Sequence, residues 1–189
     1  IGMGSGSWEA LSAQAQDAVC RAGLVFGAKR LLAGLPPECT ARQFALYQPA
    51  EILETLAQAP GQDAAVLYSG DTGFYSGASG LLTPLRALGI PARVYPGVSS
   101  IQLLAAALGR PWQDWKLVSA HGCACDPVAE CMTERSVFFL TGGAETPATL
   151  CRKLADAGMG EAHGVVGENL GTPAEAIRFG PVSYTHLRA

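Results

Sequence analysis

Short β-type runs alternate with helical patterns along almost the whole chain, and this constrains the fold more than any other feature. Such alternation marks an α/β architecture built on mostly parallel strands. Leu11, Ala15, Ala18, Val19 and Ala22 recur at helical spacing, which predicts a helix over 8–22, stopped by Gly23 and followed by a short strand at 24–26. The pattern repeats with a helix at 49–59, a buried strand at 64–68, a helix at 77–88 and a strand at 92–95. Ser99 or Ser100 is placed to cap the Ala-rich helix that ends near Gly109. Further strands are expected at 117–119, 137–140 and 165–167, with helices at 127–134 and 147–157. A composition shift over 109–114, with Pro111, Trp112 and Trp115 as turn and anchors, predicts a boundary between two lobes, 1–112 and 113–183.

Composition narrows the function classes. Charged residues are 15% of the 189, against roughly 25% in an average soluble domain, while hydrophobic residues are 49%, so the chain buries a large core. Thirteen basic and 16 acidic side chains leave a net charge of −3, which gives no global attraction to nucleic acid or to an anionic membrane surface. An anionic ligand must therefore be met by a local basic cluster. Apolar stretches such as 103–108 are far shorter than the roughly 20 residues that span a bilayer, so no membrane segment is expected and the cytoplasm is the expected compartment. The chain opens at Ile1 without an initiator Met, and its true start is expected to lie upstream. Six scattered cysteines form no regular framework and read as reduced, buried thiols.

Three Gly/Ser loops, at 2–6, 69–73 and 96–100, follow or adjoin the apparent strands. Ligands of open α/β sheets bind beyond the carboxyl ends of strands, where glycine lets the backbone approach and helix N-termini offer free N–H groups. Together the loops suggest a nucleotide-like ligand. The first resembles half of a dinucleotide fingerprint without its third Gly, and an ordinary βα turn remains an alternative. Asp71 follows a buried strand among glycines; it suits a sulfonium or a ribose hydroxyl, or else an Asx turn satisfying its own backbone. His121-Gly122-Cys123-Ala124-Cys125 fits no zinc spacing, so no metal is expected. A nucleophile elbow, a zinc-protease helix and a P-loop lysine are all missing, which leaves hydrolase and phosphoryl-transfer readings without their machinery. Glu168-Asn169 is a fourth polar loop at a strand end.

The segments 68–76 (YSGDTGFYS), 96–100 (PGVSS), 140–143 (LTGG) and 167–170 (GENL), in this order and spacing, resemble the tetrapyrrole methylase family from Ile1 to about Gly180. Within that family, 73–77 (GFYSG) and 117–122 (LVSAHG) resemble the precorrin-6Y methyltransferase branch, specifically its C5-methylating domain of cobalamin biosynthesis. The resemblance implies two lobes, each a mostly parallel sheet flanked by helices, with S-adenosylmethionine in the cleft between them, and a homodimer. By motif match it implies a cofactor site of Gly4, Ser5, Gly6, Ser69, Gly70, Asp71, Phe74, Ser99, Ser100, Leu140, Thr141, Asn169 and Leu170. The tetrapyrrole substrate would lie over the mouth, near Tyr75, with its carboxylates met by Arg110 and Lys116, and with Arg135, Lys29 and Arg30 as further basic candidates. His121 is the nominee for a base that accepts the ring proton; a structural hydrogen bond is the alternative role.

Three departures from the family pattern stand out. Ser5 and Thr72 replace frequent prolines, and 184–189 does not continue the pattern, which suggests a truncated second lobe with a foreign tail. A partner enzyme that decarboxylates and methylates C15 is implied, since that domain is not within this chain. The rival readings are another member of the family, acting on a different ring carbon or on RNA, and a catalytically silent nucleotide-binding sensor.

Overall fold

The computed structural model describes residues 1–184, so most of the 184–189 tail lies outside the described residues. The chain divides into two compact units, Ile1–Ser99 and Ser100–Ala189. The division falls ahead of 109–114, because the helix after Ser99 packs into the second unit: a Cβ built on Gly167 would stand 3.1 Å from Leu104 Cδ1.

In the first unit, β1 (Leu24–Phe26) lies between β2 (Arg42–Phe44) and β3 (Ala64–Val66), parallel to both. All three β1 residues are buried because both faces of the sheet are covered. Leu24 and Phe26 pack with Ile52 of α3 (Pro49–Ala57) and with Leu81 and Leu85 of α4 (Ala78–Ala87). Val25 packs oppositely, with Ala15 and Val19 of α1 (Ala13–Arg21) and with Leu31 and Leu32 of α2 (Lys29–Leu32). The N-terminal residues extend the sheet beside β3: Tyr68 N donates to Ile1 O at 2.9 Å, and Met3 N to Tyr68 O at 2.8 Å.

Local chemistry shifts several expected elements. The helix over 8–22 is two pieces, a 3-10 turn at Trp8–Ala10 and α1, because Leu11 is extended and the Ser12 hydroxyl accepts from Ala15 N as a fresh N-cap. The 92–95 segment is not a strand; its backbone link to the sheet is Gly2 N donating to Tyr95 O at 3.0 Å. Pro91 and Pro96 bracket it and 91–94 are exposed, so it has neither the donors nor the burial for a ladder.

The second unit begins with α5 (Ser100–Leu108), followed by β4 (Lys116–His121) and β5 (Val137–Gly142), a parallel pair. Its later strands, β6 (His163–Glu168) and β7 (Ala176–Pro181), are antiparallel, since the short 169–175 connection permits a hairpin but not a crossover. Asp126 caps α6 (Pro127–Cys131), which ends before 134. Thr146 caps α7 (Pro147–Leu154), which runs into a π-helical turn at Ala155–Met159 with Gly158 at φ 84°. Cys151, Leu154 and Val182 form a small core here, with Val128, Cys131, Met159 and Val166 against it. Of the six cysteines only Cys39 and Cys151 are buried, whereas Cys20 and Cys123 are exposed, which corrects the reading of all six as buried. No helix among the described residues is long and apolar enough to cross a membrane.

Candidate functional site

Three parallel strands point their carboxyl ends to one edge of the first unit, and the polar loops gather there. Gly4 N donates to Gly70 O at 3.2 Å and Gly70 N returns the bond to Gly4 O at 2.8 Å, so the 2–6 and 69–73 loops are locked reciprocally. Both glycines take a left-handed backbone, at φ 56° and 65°. The third segment enters through Gly97, where a Cβ would fall on the carbonyl oxygens of Gly70 and Gly2. Arg30, at the start of α2, donates to the Ser69 hydroxyl from the carboxyl end of β1.

Asp71 joins these loops. Its Oδ1 accepts from Gly97 N at 3.1 Å and its Oδ2 from Gly73 N at 3.2 Å. The Gly73 bond is the local turn that the sequence permits, while the Gly97 bond reaches 26 positions along the chain. The Thr72 hydroxyl donates to Tyr95 O at 3.4 Å, a bond that a proline there could not make. Ser5, the other departure, sits half-buried between Gly4 and Gly6, both at positive φ. Phe74 and Tyr75 meet edge to face with ring centroids 4.8 Å apart, and Tyr75, half exposed, holds φ at 46°.

Ser99 is buried, and Ser100 opens α5 with its hydroxyl oxygen buried and without a hydrogen-bond partner. The Tyr68 hydroxyl is likewise buried and unpartnered, and burial pushes its phenol above the usual range. Tyr68 opens the 68–76 motif and ends the expected strand at 64–68, but no role for its hydroxyl is legible in the sequence.

The remaining motif residues form a second group, in the second unit. Leu140 and Thr141 are at the carboxyl end of β5, where Gly142 N donates to Glu145 O at 3.0 Å. His121 ends β4 in register with Gly142, and its imidazole lies so close that a Cβ at Gly142 would strike Nδ1. Asn169, at φ 50°, and Leu170 follow β6; Asn169 Nδ2 donates to Ala174 O at 3.4 Å, and Leu170 fills the space beside Gly167. Arg178, which the sequence did not single out, pairs with Glu168 across the hairpin.

The basic candidates separate by their partners. Lys116 Nζ is committed to Glu130, at 2.7 Å from Oε2 and 3.0 Å from the backbone oxygen. Arg135 donates to the Asp114 and Trp115 carbonyls. Arg110, past the end of α5, and Lys29 are exposed. Among the described residues no three His, Cys, Asp or Glu side chains stand together as a metal site.

Residues 1–184 match the family model of tetrapyrrole (corrin/porphyrin) methylases. The chain is 32% identical to the cobalt-precorrin-7 C(5)-methyltransferase of Salmonella typhimurium, over 97% of this chain and 90% of that one. It is 31% identical to the precorrin-6Y C(5,15)-methyltransferase [decarboxylating] of Sinorhizobium sp, over 94% of this chain but 43% of the relative. In structure it is similar to the uroporphyrin-III C-methyl transferase of Thermus thermophilus complexed with S-adenyl homocysteine: TM-score 0.73 at 21% identity, covering 100% of this chain and 83% of that one.

Proposed function

The chain belongs to the tetrapyrrole methylase family, and from that premise we propose that it transfers a methyl group from S-adenosylmethionine to C5 of a cobalt-precorrin-7-type ring in cobalamin biosynthesis. The observation that carries this reading is the 32% identity to a C(5)-methyltransferase over nearly the full length of both chains.

The first unit's loops suit such a cofactor. Glycines hold two of them where a side chain would strain the backbone, and the groups gathered there are hydroxyls, backbone amides and the Asp71 carboxylate. That set can meet a ribose, an amino-acid group and a positive sulfur. Gly4, Ser5, Gly6, Ser69, Gly70, Asp71, Phe74 and Ser99 of the first unit would hold it; Ser100, Leu140, Thr141, Asn169 and Leu170 are further candidates by motif match. When bound, S-adenosylmethionine would supply a methyl group on a positively charged sulfur.

The chain's own residues then have separable tasks. Asp71 keeps the Gly73 and Gly97 amides fixed, so the loops are ordered before ligand arrives and positioning supplies much of the rate. His121, with Nδ1 against Gly142, would accept the ring proton at Nε2. Exposed Arg110 would meet a substrate carboxylate directly, Lys116 would have to exchange Glu130 for one, and Tyr75 would offer its ring edge.

A C15-methylating, decarboxylating enzyme would be the chain's partner in the same pathway, since the name of one relative joins that reaction to C5 methylation. Val165 and Phe179, opposite each other on the β6–β7 hairpin and both exposed, give a homodimer apolar surface to cover. Incubation with cobalt-precorrin-7 and S-adenosylmethionine carrying a labelled methyl tests the reaction: one methyl is expected, at C5 by NMR. A label on another carbon would indicate a different member of the family, and S-adenosylmethionine binding without turnover would indicate a sensor.

A further inference from the structure

Two cysteines outside these loops stand closer together than their neighbours require. Cys20 lies exposed in the last turn of α1, and Cys39 is buried in the connection between α2 and β2. They are 19 positions apart in sequence, yet their Sγ atoms are 2.9 Å apart. A disulfide needs about 2.04 Å, so closing the pair takes a shift of under about 1 Å, within the reach of side-chain rotation. The other exposed thiol, Cys123, is instead bonded to Ser119.

We propose that Cys20 and Cys39 are a redox-responsive dithiol that closes reversibly to a stabilising disulfide by exchange with a small disulfide such as oxidised glutathione. Exposure fixes the order of events. Cys20, as thiolate, attacks one sulfur of the small disulfide and releases one glutathione thiolate, leaving a mixed disulfide on Cys20. Cys39 then gives its proton to solvent and attacks Cys20 Sγ, displacing the second glutathione. In sum, two protein thiols are oxidised to one disulfide, and one oxidised glutathione is reduced to two thiols. Burial and the neighbouring Cys20 push the Cys39 thiol up to about 12, which makes the second step the slower one. The link ties α1 to the segment before β2 and encloses β1 and α2, including the Arg30 that holds Ser69.

The test incubates the full chain with oxidised glutathione, alkylates the remaining thiols, and reads non-reduced peptides by mass alongside thermal melting. The expected product is a Cys20–Cys39 peptide pair lighter by two hydrogens, with Tm raised by roughly 5–10 °C, both reversed by dithiothreitol. Cys20→Ser, at an exposed site, should melt like the reduced wild type and show neither the link nor the rise. An adduct that stops at Cys20, a link to another cysteine, no loss of thiols, or a link that leaves Tm unchanged would overturn the proposal.

Discussion

The two units hold their motif loops by different means. In the first, the loops are joined backbone to backbone, through the reciprocal Gly4–Gly70 pair and the close approach of Gly97, and one carboxylate ties the third segment in. In the second, a backbone bond from Gly142 N to Glu145 O is joined by side-chain ion pairs near the motif loops, Glu168 with Arg178 and Lys153 with Glu145. Backbone locking leaves little room for alternative geometry, whereas half-exposed ion pairs are screened by salt and contribute little. On the proposed function, the first unit's loops would meet a ligand already ordered, and the second unit's would adjust to it.

The same substitution in the two units should break this comparison open. Gly97→Ala drives a methyl into two backbone carbonyls and should cost about 3 kcal/mol or more, read as a lowered denaturation midpoint. Gly143→Ala meets nothing within 4 Å, so only its φ of 70° opposes it, at about 1–2 kcal/mol. Equal losses would mean that the loops of the first unit are not tightly joined.

Next in size is Asp71→Ala, which orphans two amides at about 1–3 kcal/mol and should weaken S-adenosylhomocysteine binding at least about tenfold by calorimetry. Asp71→Asn keeps one acceptor and should fall between. Smaller again is Glu168→Gln, which removes an ion pair with side chains about a third exposed and should cost about 1 kcal/mol or less, shrinking further in high salt. His121→Ala should lower turnover and remove a limb of the pH–rate profile; wild-type turnover with an unchanged profile would leave His121 a structural role.

Apart from these substitutions, the first unit should show a pH dependence confined to alkaline solution. The Cys39 thiol is raised from 9.0 to about 12, so the folded state holds its proton more tightly than the unfolded state. Its stabilising contribution is complete below about pH 9 and declines as pH rises towards 12. Under reducing conditions, wild type should lose an increment of stability over that window that Cys39→Ala lacks.

Legibility in the sequence followed the same division. β1 was readable as an unbroken apolar run because both of its faces are covered, β3 as the apolar run ahead of Ser69, and the glycine loops because their positive φ values and close approaches demand glycine. Asp71 was readable as a residue with a task, but its bond to Gly97 depends on a fold that brings residues 26 apart together. The three- and four-residue elements β2 and α2 are too short to show a period, and the antiparallel β6–β7 hairpin carries no signal that separates it from a parallel strand. Ion-pair partners such as Arg178 and Glu130 were invisible for the same reason: a charge in sequence does not show what it faces.

The claim that the backbone-locked loops of the first unit hold the cofactor is tested most directly by amide hydrogen exchange on the full chain, with and without S-adenosylhomocysteine. The account predicts slowed exchange at 4–6, 69–71 and 97–99, with the second unit's loops following more weakly. Protection confined to other segments, or no change at those three, would contradict it.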